Sequence, residues 1–226
     1  MIHADRMQVD WRERLGDVLS LYVVTDESLQ RGRSEEEVAL AAFAGGAGAV
    51  QLRCKKESTR SFIQKALRVK DVARRSGGLL IINDRLDVAM AVDADGLHIG
   101  QDDIPLQLVR KLWGTKKIVG VSVSTAEEAR LAEKEGADYL GAGAIMSTPT
   151  KRDVEVIGLN GLRRICDAVK IPVVGIGGIG VSNAGAVIGT GAAGVAVVSA
   201  VVSAEDVAAS AREILREVQL AKGRRG

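Results

Sequence analysis

Eight times from residue 21 onward, a short apolar run gives way to a longer amphipathic segment, and that alternation restricts the chain to parallel α/β architectures. The apolar runs occupy residues 21–25, 49–53, 79–83, 96–100, 117–123, 138–144, 172–177 and 194–200, with helical segments between them at 35–44, 58–75, 125–135 and elsewhere. Runs that are apolar almost throughout are what strands look like when both faces are covered. Eight βα units of this regularity predict a closed (β/α)8 TIM barrel rather than an open sheet. A last helix is expected at 205–221, and residues 8–19 read as a short extra helix within an N-terminal extension spanning 1–20. The basic stretch 222–226 reads as a frayed tail. No linker or low-complexity tract divides the 226 residues, so one domain, 1–226, is expected.

Composition narrows the function. A net charge of +2 gives no electrostatic reason to expect nucleic acid or an anionic membrane as a partner. Residues 1–17 are interrupted by charge and lack the apolar centre of a signal peptide, and no apolar run reaches spanning length. Cys54 and Cys166 are too few for a disulfide framework and are not spaced as a metal site. A cytoplasmic location is expected, and association of copies into a homo-oligomer is left open.

In such a barrel the chemistry lies where the strands end. The runs at 79–83 and 96–100 close on Asn83-Asp84-Arg85 and Gln101-Asp102-Asp103, with room for one short helix between them. A βαβ unit brings both carboxyl ends to the same side, making Asp84 and Asp103 neighbours. Two adjacent carboxylates need positive charge between them, and so few oxygen ligands suit Mg²⁺ accompanied by a substrate phosphate. Other readings stand beside this one: Asp103 as the N-cap of the helix opening at Ile104-Pro105, and Asp84 as the partner of Arg85.

In the second run Gln51, Arg53 and Lys55 share a face, a fork and a point charge suited to phosphate oxygens, or to a structural network with Asp84 and Asp103. Cys54 faces the other way and reads as packing, and His98, inside an apolar strand, reads as a core histidine. After the sixth run, Ser147, Thr148, Thr150 and Lys151 form an acid-free loop fit to cradle an anion. The glycine-rich 175–180 and the end of the eighth run, Val198-Ser199, occupy the units where many barrels hold a phosphate. Two anion sites sharing one mouth imply transfer between two phosphorylated ligands, with diphosphate leaving.

The motifs LYVVTD (21–26), QLRCKK (51–56), INDR (82–85), GLHIGQDD (96–103), GVSV (120–123), ADYLGAGAIMSTPTK (137–151), PVVGIGGI (172–179) and GVAVVSA (194–200) together resemble the thiamine-phosphate synthase family. The resemblance implies an enzyme that joins hydroxymethylpyrimidine diphosphate to a thiazole phosphate, or its carboxylated form, releasing pyrophosphate and making thiamine phosphate. It implies Mg²⁺ held by Asp84 and Asp103, and a pyrimidine diphosphate bound by Gln51, Arg53, Lys55, Asn83 and Lys151, with Leu52 and Cys54 in the same lining run. Ser122 resembles the family position near the pyrimidine and leaving group. Thr148, Pro149 and Thr150, with Gly178, Val198 and Ser199, resemble the thiazole-phosphate site. Lys151, Arg53, Lys55 and Ser122 are the implied catalytic groups, acting by a dissociative substitution without a protein nucleophile. The chain departs from the family where Cys54 replaces a common acidic residue and where 141–148 lacks the usual glycine-proline opening. A thiazole tautomerase on the same fold, or a phosphate-ligand sensor, are the rivals; the paired acids and the cations favour the synthase.

Overall fold

The computed structural model describes residues 11–147 and 155–224. Eight strands, β1 (Leu21–Val24), β2 (Ala49–Leu52), β3 (Leu79–Asn83), β4 (Gly96–Ile99), β5 (Ile118–Val123), β6 (Tyr139–Gly143), β7 (Val173–Ile176) and β8 (Gly194–Val197), pair in chain order as a closed barrel. Every neighbouring pair is parallel, including β1 with β8. The outer ring comprises α2 (Glu35–Ala44), α3 (Thr59–Ser76), α4 (Leu86–Ala91), α5 (Leu106–Trp113), α6 (Ala126–Lys134), α7 (Gly158–Ala168), α8 (Ala184–Ile188), α9 (Ser199–Val202) and α10 (Val207–Gly223), preceded by α1 (Trp11–Val18).

Four of the helices, α2, α3, α6 and α10, start where a side chain supplies an acceptor for their unpaired N–H groups. Ser34 with Glu37 and Thr125 with Glu128 make reciprocal capping boxes at α2 and α6. In α3 the buried Phe62, Ala66, Val69, Val72 and Ala73 recur at helical spacing, and Gly77 ends the helix at φ +70°. Removing such a stripe from water contributes about 1.5–3 kcal/mol for each large apolar side chain.

Strand parity divides the apolar residues into two cores. Val23, Leu52, Leu80, Ile82, Leu97, Val119 and Leu140 face the helices. Tyr22, Ala49, Ile81, Ile118, Tyr139, Val174 and Ala196 fill the barrel. Two glycines make room for the interior rings: a Cβ on Gly120 would fall 2.1 Å from Tyr139, and one on Gly141 3.0 Å from His98. Leu15 and Leu19 join the inner core, so α1 and the turn after it close the amino end of the barrel. The approach is tight there, since a Cβ on Gly194 would lie 1.8 Å from the Leu19 carbonyl oxygen.

Strands and helices begin and end within one or two residues of their sequence-read limits, except that the eighth run, read to 200, ends as a strand at Val197 because α9 opens at Ser199. The extra N-terminal helix is observed over Trp11–Val18, its expected first turn lying outside the described residues. The first residues of the expected tail belong to the last helix, and residues 225–226 lie outside the described residues. α10 continues to Gly223, because the Lys222 ammonium bonds Ser20 Oγ at 2.7 Å and the Gly16 carbonyl at 3.3 Å and ties the last turn to the barrel floor.

Candidate active site

A cavity of about 370 Å³ opens at the amino end beside Asp17, Ser20, Gly48 and Lys222, but Ser20 and Gly16 already take up its lysine ammonium. The convergent chemistry lies at the opposite end. Asp84 follows β3 at φ +64°, its N–H donating to the His98 carbonyl at 2.8 Å. Aspartate is among the few side chains that accept this left-handed backbone. Asp103 folds back from the loop after β4, its Oδ2 accepting the Gly100 N–H at 2.7 Å. The two carboxyls meet. Burial first, then the hydrogen bond and charge of Asp103, push Asp84 up to about 6, against the pull of Lys55 and Arg53.

The alternative roles of both acids fall away. Pro105, not Asp103, stands at the N-cap of α5, and Arg85 turns to Asp87 and Thr59, each at 2.8 Å, rather than to Asp84. Among the described residues no third His, Cys, Asp or Glu completes a protein cage. Two hard carboxylates crowded together fit a cation such as Mg²⁺, which keeps waters and takes phosphate oxygens.

The cations of the second unit stand beside the pair. Lys55 Nζ lies 4.0 Å from Asp84 Oδ2 and is more than half exposed, a contact of little intrinsic strength that leaves the ammonium available. Arg53 is oriented instead by Asp26, at 2.8 Å, and its backbone N–H donates to Thr25 Oγ1 at 3.1 Å. The loop carrying both is anchored at its far end: Lys65 holds Glu57 at 2.7 Å and Glu35 at 2.9 Å. Leu52 is fully buried among the outer apolar residues, and Cys54, partly buried, packs against them. Burial, then the charge of Glu35, pushes the Cys54 thiol up to about 12 and keeps it protonated.

Beneath the mouth runs a chain of polar side chains. Ser122 Oγ lies 2.9 Å from His98 Nε2, His98 Nδ1 2.9 Å from the Tyr139 hydroxyl, and that hydroxyl 2.8 Å from Tyr22. Gln51 Nε2 donates to the Tyr22 hydroxyl at 2.5 Å. His98 is buried with both ring nitrogens in hydrogen bonds, the satisfied core histidine that its apolar strand predicts. Both tyrosines, the only two in the chain, were missed as site residues, although a phenol inside an apolar strand signals a buried hydroxyl in need of a partner. Asp26 was missed too, as was Gln101, whose amide donates to the Ser122 carbonyl at 2.6 Å. Asn83 sits opposite His98 in the β3–β4 register, facing the same interior.

Across the mouth, Gly177 and Gly178 turn at φ +102° and +66°, and a Cβ on Gly178 would fall 2.8 Å from Met146. The Asn183 amide donates to the Gly178 carbonyl at 2.9 Å, which fixes that turn beside Val198 and Ser199 where β8 passes into α9. Thr148, Pro149, Thr150 and Lys151 lie outside the described residues.

The family described as thiamine monophosphate synthase matches residues 21–201. The chain belongs to that family. Within it, a thiamine-phosphate synthase of Chloroflexus aurantiacus is 54% identical over 207 residues, covering 91% of this chain and 92% of its own. A thiamine-phosphate synthase of Moorella thermoacetica is 52% identical over 205 residues, covering 90% and 98%. Among solved structures, a thiamine phosphate pyrophosphorylase from Pyrococcus furiosus superposes with a TM-score of 0.86 at 44% identity, covering 92% of this chain and 98% of its own. The thiamine monophosphate synthase match begins at the first residue of β1 and runs into α9, so it takes in the whole barrel and every strand end described above.

Proposed function

We propose that this chain is a thiamine-phosphate synthase that transfers the hydroxymethylpyrimidine group from its diphosphate to the ring nitrogen of a thiazole phosphate. The observation that carries the reading is the meeting of Asp84 and Asp103 beside Lys55 and Arg53. Asp84 and Asp103 are the residues that would hold Mg²⁺. When bound, the ion supplies positive charge to the diphosphate oxygens.

The bond between the pyrimidine methylene and the diphosphate oxygen breaks, and its electron pair leaves with pyrophosphate. Arg53, Lys55 and Lys151 lower the barrier because charge on the leaving oxygens is greater in the transition state than in the bound substrate. The aminopyrimidine ring supports the positive charge left on its methylene, and the thiazole nitrogen then forms the new carbon–nitrogen bond. Gln51, Asn83 and Ser122 orient the pyrimidine, and the turns at Gly178 and Val198-Ser199, with Thr148 and Thr150, hold the thiazole phosphate. No helix among the described residues is long and apolar enough to cross a membrane, and a cytoplasmic enzyme of small-molecule metabolism agrees with that.

Mixing both substrates with Mg²⁺ and following thiamine phosphate and pyrophosphate tests the reading, equimolar formation of the two being expected. Tight binding without turnover, or proton migration on the thiazole alone, would overturn it in favour of a sensor or an isomerase.

A further inference from the structure

The five side chains across the barrel interior carry a directional constraint. Gln51 Nε2 has only protons to give, and at 2.5 Å it gives one to the Tyr22 oxygen. Tyr22 has a single proton of its own, which then points along the 2.8 Å contact to the Tyr139 oxygen. The Tyr139 proton is in turn directed over 2.9 Å to His98 Nδ1. A neutral imidazole that accepts at Nδ1 carries its proton at Nε2, and that proton faces Ser122 Oγ at 2.9 Å. Among the described residues the Ser122 proton has no acceptor of its own.

We propose that Gln51, Tyr22, Tyr139 and His98 form a one-way hydrogen-bond relay that fixes the Nε2–H tautomer of His98 and presents the Ser122 hydroxyl to the ligand as a donor. Polarity matters chemically, because an acceptor facing the diphosphate would repel the oxygens that gather charge, whereas a donor stabilises them. His98 and Tyr139 are then positioning residues acting through Ser122. The surroundings hold the relay in place: both phenols are buried, which raises their pKa and keeps their protons, and Gly141 leaves space for the His98 ring. The Ser122 carbonyl, bonded by Gln101, fixes the backbone from which the hydroxyl projects. The ligand's identity rests on the synthase reading, but the tautomer does not.

The chain has two histidines, His3 and His98, so His3→Gln leaves one imidazole to observe. In that variant, ¹⁵N-histidine NMR of the ligand-free protein is expected to show the neutral Nε2–H form. The Nδ1–H form, or an averaged mixture, would overturn the relay, whatever the enzyme turns over. A kinetic cycle provides the second reading. Tyr139→Phe is expected to lower kcat roughly tenfold in the native background, the scale of one hydrogen bond, and to cost nothing further in Ser122→Ala. An equal loss in both backgrounds would mean that Tyr139 only packs. Wild type that forms no thiamine phosphate while His98 shows the Nε2–H form would remove the synthase reading and leave the relay standing.

Discussion

Asp84 combines an unusual backbone with an unusual environment. Its φ of +64° is one that asparagine also accepts, so Asp84→Asn removes the charge with little change in strain. We expect that variant to melt close to wild type and to lose roughly 10² in kcat, the scale of losing a preorganised charge-stabilising group. Steady-state kinetics at saturating Mg²⁺ checks it, and near-native turnover would remove Asp84 from the metal site. The same carboxyl makes stability depend on pH. Because its folded value is raised from 3.8 to about 6, its contribution is fully present below the lower value and lost as pH rises through the upper one. Mg²⁺ competes with that proton, so added Mg²⁺ should raise the melting temperature at about pH 8 and hardly at all at about pH 4.5. Equal shifts at both would place the ion elsewhere.

At the scale of elements, the loop between β2 and α3 owes its position to a charge cluster behind it. Burial works against the Lys65 charge, but the hydrogen bonds its ammonium donates to Glu35 and Glu57 more than offset that and raise its pKa. The Glu35 side chain is only 7% exposed, so Lys65→Met strands a buried carboxylate. The expected cost is roughly 2 kcal/mol in urea unfolding, below the fully buried case because Lys65 keeps some solvent contact. A raised KM for the diphosphate substrate should accompany it, since Lys55 rides on the loosened loop. The adjacency of Asp84 and Asp103 was legible in sequence because a βαβ crossover is short and has one hand. Their side-chain directions were not: Asp103 turns back to Gly100 and Arg53 turns to Asp26, choices made by loop backbone that no periodicity encodes. The meeting of Tyr22 with Tyr139 lay further out of reach, because 117 residues separate partners that only barrel closure brings together.

On the scale of the whole molecule, stability and chemistry occupy opposite ends. Leu15 and Leu19, 2% and 0% exposed, plug the amino end. Leu19→Ala should cost about 3 kcal/mol by denaturant unfolding, through lost burial and an unfilled cavity, while kcat stays at its native value. A fall in kcat with unchanged stability would contradict that division. The eightfold architecture was legible because each βα unit repeats one hydrophobic pattern; the plug was not, because one short helix shows its apolar face without showing what it covers. A floor sealed in this way leaves the barrel a single doorway for two substrates and two products. In a synthase the pyrimidine diphosphate, the thiazole phosphate, thiamine phosphate and pyrophosphate would all pass through that same mouth.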